Sequence, residues 1–169
     1  MAEHAMGVEV VTPEAALFRG PATLVVASTS EGDFSVMADH AELIGDVVPG
    51  VVRIEADGED PVTILIHGGF VQVTTADGAA AGIVDGVGEG DRSTRVTILA
   101  SIAEPAHEID KPRAERAKAE AEARLADLRS SSSRTADDNG VGDALLDLAQ
   151  AEADLARAEL RLGTSAVLS

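Results

Sequence analysis

Three arginines could together bind an anion if the fold brings them close. Arg157 and Arg161 lie four residues apart near the end of the chain, and Arg113 lies well before them. On a helix, residues four apart share a face, and two like charges there cost about 0.2–0.5 kcal/mol. Helix stability therefore does not explain the pair. Three interpretations stay open: docking on an acidic surface of a partner, holding an anionic ligand with Arg113, or solvated surface charge.

Residues suited to a conventional active site are few. His67-Gly68-Gly69 has the composition of an oxyanion-hole loop, but no Gly-x-Ser-x-Gly elbow supplies a nucleophile, so a glycine turn between strands is favoured. Asp39-His40 is an acid–base pair by type, although a loop or interface pair is favoured. The acids within Asp85–Gly90 would repel a phosphate, which indicates a flexible loop. With no cysteine and no metal-binding motif, the sequence predicts no catalytic and no metal site.

The charge distribution restricts the partners. The formal net charge is −17, which excludes broad binding to a phosphate backbone and hence a nucleic-acid partner. Residues 1–103 hold 4 Lys/Arg against 16 Asp/Glu, and residues 104–169 hold 9 against 14. The start has no basic region before an apolar run, and no apolar run approaches a membrane span. We expect a soluble, cytosolic protein that reaches a membrane only through a partner.

Residues 1–103 are predicted to form an all-β domain. Runs of β-branched residues recur, and several alternate with period two, as in Phe70–Thr74. Asp57-Gly58 and Asp77-Gly78 lie between such runs, where hairpin turns need positive φ. Short, regularly spaced strands are typical of an antiparallel sandwich or barrel. With three phenylalanines as the only aromatic residues, the core must consist mainly of Val, Ile, Leu and Ala.

Residues 104–169 are predicted to form a hinge and an antiparallel pair of helices. Asp110 is suited to cap the first helix, and Asp143 the second, which Gly163 can end. The connector Ser130–Gly142 breaks the helical pattern. The first apolar stripe is predicted to consist of Ala114, Ala117, Ala121, Leu125 and Leu128. The second is predicted to consist of Leu145, Ala149, Ala153, Ala156 and Leu160.

Alanine-lined helices bury little area. At about 25 cal/mol per Å² of apolar surface, their pairing is weak beside the β core. A weakly held hairpin is able to open or dock elsewhere, so it is the better candidate for a switch.

The order of short motifs along the chain resembles the epsilon subunit of bacterial F-type ATP synthase, whose mitochondrial counterpart is called delta. The likeness covers nearly the whole chain. The fragments that carry it in the β half are Val8–Glu14, Leu17–Gly20, Ser30–Phe34, Asp39–Leu43, Pro49–Arg53, Gly68–Val73 and Val96–Ala100. The resemblance implies an α+β fold, in which an N-terminal antiparallel β-sandwich is followed by a C-terminal two-helix hairpin.

The resemblance also implies partners. The sandwich would bind the base of the rotary stalk, against the gamma subunit and the membrane c-ring. The family's loops that face these partners match Glu31, Gly32, Asp33, Phe34 and His40 in this sequence. Before His40 this chain has Met37-Ala38-Asp39, where many relatives have a proline-glycine.

Some family members bind ATP through a motif of Ile/Leu-Asp, two variable residues and Arg-Ala. The matching residues in this sequence are Glu104, Ile109, Asp110, Arg113 and Ala114, with Arg157 and Arg161 as the family's paired arginines. A further family arginine, seven positions beyond Arg113, is replaced by Glu120, which removes a phosphate partner and adds a repelling charge. Arg116 or Arg124 is a candidate to compensate. ATP is thus expected as a regulatory ligand at most, with no cofactor required.

The function implied is that of a non-catalytic rotor subunit of a proton-translocating synthase, peripheral at the cytoplasmic face of the bacterial membrane. Its hairpin would fold on the sandwich or extend along gamma toward the catalytic alpha/beta head, where it inhibits ATP hydrolysis. A stand-alone ATP-binding sensor is the alternative, and co-purification with other synthase subunits distinguishes the two. The connector Ser130–Gly142 is longer than the family usually carries.

Overall fold

The computed structural model describes residues 5–77, 92–132 and 141–167. The chain divides into two compact units between Glu108 and Ile109. The sequence-based boundary after residue 103 lies earlier, inside the short strand Ala103–Pro105 that pairs within the first unit. Asp85–Gly90, Gly78 and most of the predicted connector lie outside the described residues.

The described part of the first unit contains eight strands and a short 3-10 turn at Ala106–Glu108. The strands are β1 (Met6–Val11), β2 (Ala16–Ala22), β3 (Leu24–Thr29), β4 (Gly32–Val36), β5 (Leu43–Glu55), β6 (Val62–Asp77), β7 (Arg92–Ala100) and β8 (Ala103–Pro105). They form one hydrogen-bonded path in the order β2-β1-β7-β6-β5-β3-β4, and β8 pairs with β6. All pairings are antiparallel except that of β1 with β7, which is parallel.

The two long strands pass from one layer of a sandwich to the other. Residues 62–67 of β6 run beside β5, and residues 64–66 also beside β8. Residues 69–77 run beside β7, and residues 69–73 also beside β5. Gly68, at the change of partner, has φ +97°, a conformation that suits glycine. One layer therefore holds β4, β3, the second half of β5, the first half of β6, and β8. The other layer holds the first half of β5, the second half of β6, and β7, β1 and β2. The sandwich prediction is confirmed, but His67-Gly68-Gly69 is a bend within β6 and not a turn between strands.

The core between the layers is aliphatic, as predicted. Alternate residues of each strand point inward, so Val8 and Val10 of β1 are fully buried, as are Val96 and Ile98 of β7. Phe18 and Phe34 pack at the edge of this cluster. The predicted turn at Asp57-Gly58 is confirmed, with Gly58 at φ +76°.

The second unit contains helices α1 (Lys111–Ser132) and α2 (Val141–Val167). The cap at Asp110 is confirmed, since its Oδ1 accepts a hydrogen bond from the Arg113 backbone N–H at 3.0 Å. The predicted ends of α2 were wrong. Asp143 lies inside the first turn, where its charge complements the helix dipole, and the helix continues through Gly163. A single glycine costs a helix only about 1 kcal/mol, and no proline follows it to force an end.

The two helices pack against each other along one seam. The predicted α1 stripe is confirmed, with Ala114, Ala121 and Leu125 buried. The predicted α2 stripe was wrong. Ala151 and Ala158 are buried, whereas Leu145 is 59% exposed. The exposed or half-exposed members of the predicted stripe are Leu145, Ala149, Ala153, Ala156 and Leu160.

Ion pairs between the helices accompany the observed rotation of α2. Alanine and leucine occur on more than one side of α2, so the apolar pattern alone leaves its rotation open. Cations of α1 face acids of α2 in three pairs, Lys118–Glu159 at 3.0 Å, Arg124–Asp147 at 3.1 Å and Arg129–Glu152 at 3.4 Å. The hydrogen bond that Lys118 donates to the Glu159 carboxylate raises the pKa of the Lys118 amine. These pairs form in the rotation in which Ala151 and Ala158 face α1.

Candidate functional site

A cavity of about 300 Å³ lies between α1 and α2. It exists because small side chains line the seam at this level, where larger residues would fill the space. The lining residues from α1 are Ala117, Glu120, Ala121 and Arg124, and those from α2 are Asp154, Arg157, Ala158 and Arg161. The cavity therefore combines an alanine floor with five charged side chains.

The charges of the cavity favour an anion. Three guanidinium groups, those of Arg124, Arg157 and Arg161, face two carboxylates, those of Glu120 and Asp154. Guanidinium groups bind phosphate and carboxylate oxygens through paired N–H donors. Arg157 pairs with Asp154 one turn away on the same helix. The cavity can hold a small anion or a phosphate group.

The structure brings together only part of the predicted ATP set. Arg157 and Arg161 line the cavity, whereas Ile109, Asp110, Arg113 and Ala114 are not among its lining residues. Asp110 is occupied as the helix cap, Arg113 is exposed, and Ala114 is buried.

The remaining member of the predicted set, Glu104, lies in β8 of the first unit, where its Oε1 is 3.3 Å from Nε2 of His67. The position of Glu120 in the cavity agrees with the expectation that it lies near the arginines. Arg124, one of the two predicted substitutes for the missing arginine, also lines the cavity, whereas Arg116 does not.

Sequence reasoning missed Asp154. Its spacing was a usable signal, because Asp154, Arg157 and Arg161 lie three and four residues apart and must share one face of a helix. Asp154 was not considered because the predicted rotation of α2 placed a different face of the helix toward α1.

The predicted rotor-facing residues lie in two connections of the sandwich. Glu31 lies in the turn between β3 and β4, and Gly32 and Asp33 begin β4, where Ser28 Oγ donates to Asp33 Oδ1 at 2.6 Å. Phe34 follows in β4 and packs at the edge of the core. His40 lies between β4 and β5, and its Nδ1 is 2.7 Å from the Ala41 carbonyl oxygen. Both connections present charged side chains to the surroundings.

The neighbouring backbone of His40 is held in an unusual conformation. Asp39 has φ +62°, which few residues other than glycine adopt, and its N–H donates to the buried Thr94 hydroxyl at 2.8 Å. Such strained, anchored loop residues are common at binding sites.

A second surface, which the sequence did not predict, lies on the outer side of the layer that contains β7. Phe70 of β6 lies opposite Leu99 of β7, and their side chains are 62% and 50% exposed. Ile44 of the adjoining β5, 76% exposed, lies on the same side. We call Ile44, Phe70 and Leu99 the outer apolar face. Contiguous exposed apolar side chains on a sheet are typical of a protein-binding surface.

A cluster of ion pairs centred on Glu9 lies beside this face. Glu9 of β1 pairs with Arg19 of β2 and with Arg95 of β7 at 2.9 Å. Hydrogen bonds from Arg19 and then Arg95 lower the pKa of the Glu9 carboxyl. The cluster ties three adjacent strands together across the outer side of the sheet.

Other site classes find no support in the described part of the chain. No group of three or more His, Asp or Glu side chains there is arranged to hold a metal ion. Neither described helix is long and apolar enough to cross a membrane.

Comparisons of the sequence with a family model and with known proteins match the same family. The family model described as ATP synthase, Delta/Epsilon chain, beta-sandwich domain matches residues 5–77. The chain is 36% identical over 126 residues to the ATP synthase epsilon chain of Desulforudis audaxviator, covering 75% of this chain and 78% of the relative. It is 32% identical over 164 residues to the ATP synthase epsilon chain of Symbiobacterium thermophilum, covering 96% and 94%.

A solved structure of similar fold is a chain of the mitochondrial ATP synthase of Euglena gracilis. The TM-score is 0.64 at 21% identity, with 98% of this chain and 82% of that chain covered. At this identity the likeness concerns the fold alone.

Proposed function

The chain belongs to the family of ATP synthase epsilon chains, and from that premise we propose that it is a non-catalytic subunit of the rotor stalk of an F-type ATP synthase. In that position it would couple rotation to ATP synthesis, peripheral at the cytoplasmic face of a bacterial membrane. The observation that carries the proposal is the match to an epsilon chain over both units of this chain, sandwich and helices alike.

The outer apolar face supports docking to a partner subunit. Stable subunit interfaces bury apolar side chains, and this face offers Ile44, Phe70 and Leu99 on three adjacent strands. We propose that it binds the gamma subunit. The charged turn of Glu31, Gly32 and Asp33 and the connection at His40, with Phe34 behind them, would complete the contacts to gamma and the c-ring.

The α1–α2 hairpin has the properties of a mobile brake. Its seam consists largely of alanine, and its interhelical ion pairs are more than one third exposed on at least one side, so each contributes about 0–1 kcal/mol. A hairpin held this weakly can exchange its partners. In the proposed mechanism it extends toward the alpha/beta head and blocks hydrolysis, and any ligand that binds one arrangement better shifts the population.

ATP is the proposed regulatory ligand of the hairpin, bound through the arginines of the cavity. Three guanidinium groups beside a small apolar floor suit a polyphosphate. Calorimetry of ATP with and without Mg²⁺ tests this step. If Arg157→Ala leaves a measured ATP affinity unchanged, the site is elsewhere.

A pull-down from a native membrane extract tests the rotor assignment. We expect the full chain to retain gamma and c-ring subunits, and Phe70→Ser to lose them, because that substitution removes an exposed apolar side chain without touching the core. Leu145→Ser, at an exposed leucine of α2, is the matched control and should retain gamma. ATP binding without any synthase subunit in the pull-down would instead favour a stand-alone sensor.

A further inference from the structure

The cavity between α1 and α2 carries its own counterions. Asp154 lines the cavity and pairs with Arg157, which lines it too. Gln150 Nε2 also donates to the same carboxylate oxygen, Oδ1 of Asp154, at 3.2 Å. Two donors from one helix, Gln150 and Arg157, therefore hold the Asp154 carboxylate at the lining of the cavity.

Arg124 is engaged in a similar way. Its Nη2 lies 3.1 Å from Oδ1 of Asp147 on the facing helix. Glu120 adds a second carboxylate to the cavity lining. An anion that enters must therefore replace acidic partners that these arginines already have, in contrast to an anion that enters a cavity lined by arginines alone.

We propose that Asp154 is a resident counterion that competes with the phosphate groups of ATP for Arg157. This inference rests on the proposed ATP site and names how that site is regulated. Binding is an exchange: the ligand takes Arg157 from Asp154, and the displaced carboxylate remains nearby and repels the phosphates. Asp154 thereby sets the ATP concentration at which ATP competes successfully for Arg157.

Charge neutralisation of Asp154 is the direct test. Asp154→Asn keeps the size of the side chain and its contact with Gln150 but removes the competing charge. We expect the ATP affinity measured by calorimetry to rise roughly three- to tenfold, the range expected for loss of one half-exposed ion pair and one like-charge repulsion. An affinity equal to that of the unchanged protein would overturn the proposal.

Glu152→Gln is the matched control. It removes one negative charge and one ion pair, that with Arg129, from the same hairpin, but Glu152 does not line the cavity. Its ATP affinity should stay within about twofold of the unchanged protein, since distant charges are screened. An equal gain in both variants would mean that total charge, and not competition at Arg157, controls binding.

Inorganic tripolyphosphate separates phosphate recognition from recognition of the base. Asp154→Asn should raise its affinity by the same factor as that of ATP, and the added substitution Arg157→Ala should abolish both gains. A gain for ATP alone would contradict the assignment to Arg157. If neither ATP nor tripolyphosphate binds the unchanged protein or Asp154→Asn at millimolar concentration, the ATP site itself is refuted, while the rotor assignment is tested separately by the pull-down.

Discussion

His67 Nε2 lies 3.3 Å from Oε1 of Glu104, which joins the bend of β6 to the short strand β8. The His67 side chain is 6% exposed, so this contact is near the interior of the sandwich. Backbone pairing of β8 with Ile64, Leu65 and Ile66 further attaches this segment to β6. The segment that leads toward the helices is therefore an integral part of the first unit up to Glu108.

Two truncations test this boundary. A chain that ends at Glu108 should fold as the sandwich alone. A chain that ends at Ile102 lacks β8 and leaves three buried residues of β6 without their neighbour, so its free energy of unfolding in urea should be lower by about 2–4 kcal/mol. Equal stability of the two truncated chains would contradict the boundary.

Gly69 is predicted to be intolerant of any side chain. A Cβ built on Gly69 would lie 2.1 Å from the carbonyl oxygen of Leu99 on the neighbouring strand. Gly69→Ala should therefore push β6 and β7 apart and lower the free energy of unfolding by about 2 kcal/mol or more. Gly45→Ala is the control, because its Cβ would meet only a Val71 methyl at 3.8 Å. Chemical denaturation compares the two, and similar losses would count against the close approach.

The rotation of α2 can be tested with one substitution at two positions. Ala151 is fully buried in the seam, so Ala151→Leu should separate the helices and destabilise the hairpin by about 1–3 kcal/mol. Ala149→Leu, at an exposed position of the same helix, should change stability by no more than about 0.5 kcal/mol. Hydrogen exchange of the α1 and α2 amides measures both. A larger loss of stability for Ala149→Leu than for Ala151→Leu would instead support the α2 stripe predicted from the sequence.

The Glu9 cluster predicts a pH-dependent difference in stability. Because Arg19 and Arg95 lower the pKa of Glu9 in the folded state, its ionised form contributes stability above the ordinary carboxyl pKa of 4.5. That contribution is lost as the pH falls through the lowered pKa. Glu9→Gln should cost about 1 kcal/mol at pH 7, and the difference from the unchanged protein should vanish at acidic pH. Urea denaturation at several pH values checks this, and a constant difference would refute it.

Features set by neighbouring residues could be predicted from the sequence. The cap is a local contact between the Asp110 carboxylate and the Arg113 backbone N–H. The burial of Val8 and Val10 on one face of β1 follows from the two-residue period of a strand. The α1 stripe could be identified because both leucines of the helix, Leu125 and Leu128, lie on it. The interface assignment of Glu31 to Phe34 rests on family motifs and stays a prediction.

Features set by distant residues could not be predicted. The parallel pairing of β1 with β7 joins segments at opposite ends of the sandwich sequence, so no local pattern announces it. The bend at Gly68 depends on which strands lie on either side of β6. The rotation of α2 depends on its packing against α1, a contact between segments far apart in the sequence.

The most direct test of the proposed function compares ATP hydrolysis by an F1 sector from which this subunit has been removed, after adding back either the full chain or the chain that ends at Glu108. Binding of each form is measured in the same samples. The account predicts that both forms bind, through the sandwich, and that only the full chain lowers the rate of hydrolysis. Equal inhibition by the two forms, or none by the full chain when bound, would contradict the proposed role of the α1–α2 hairpin as a brake.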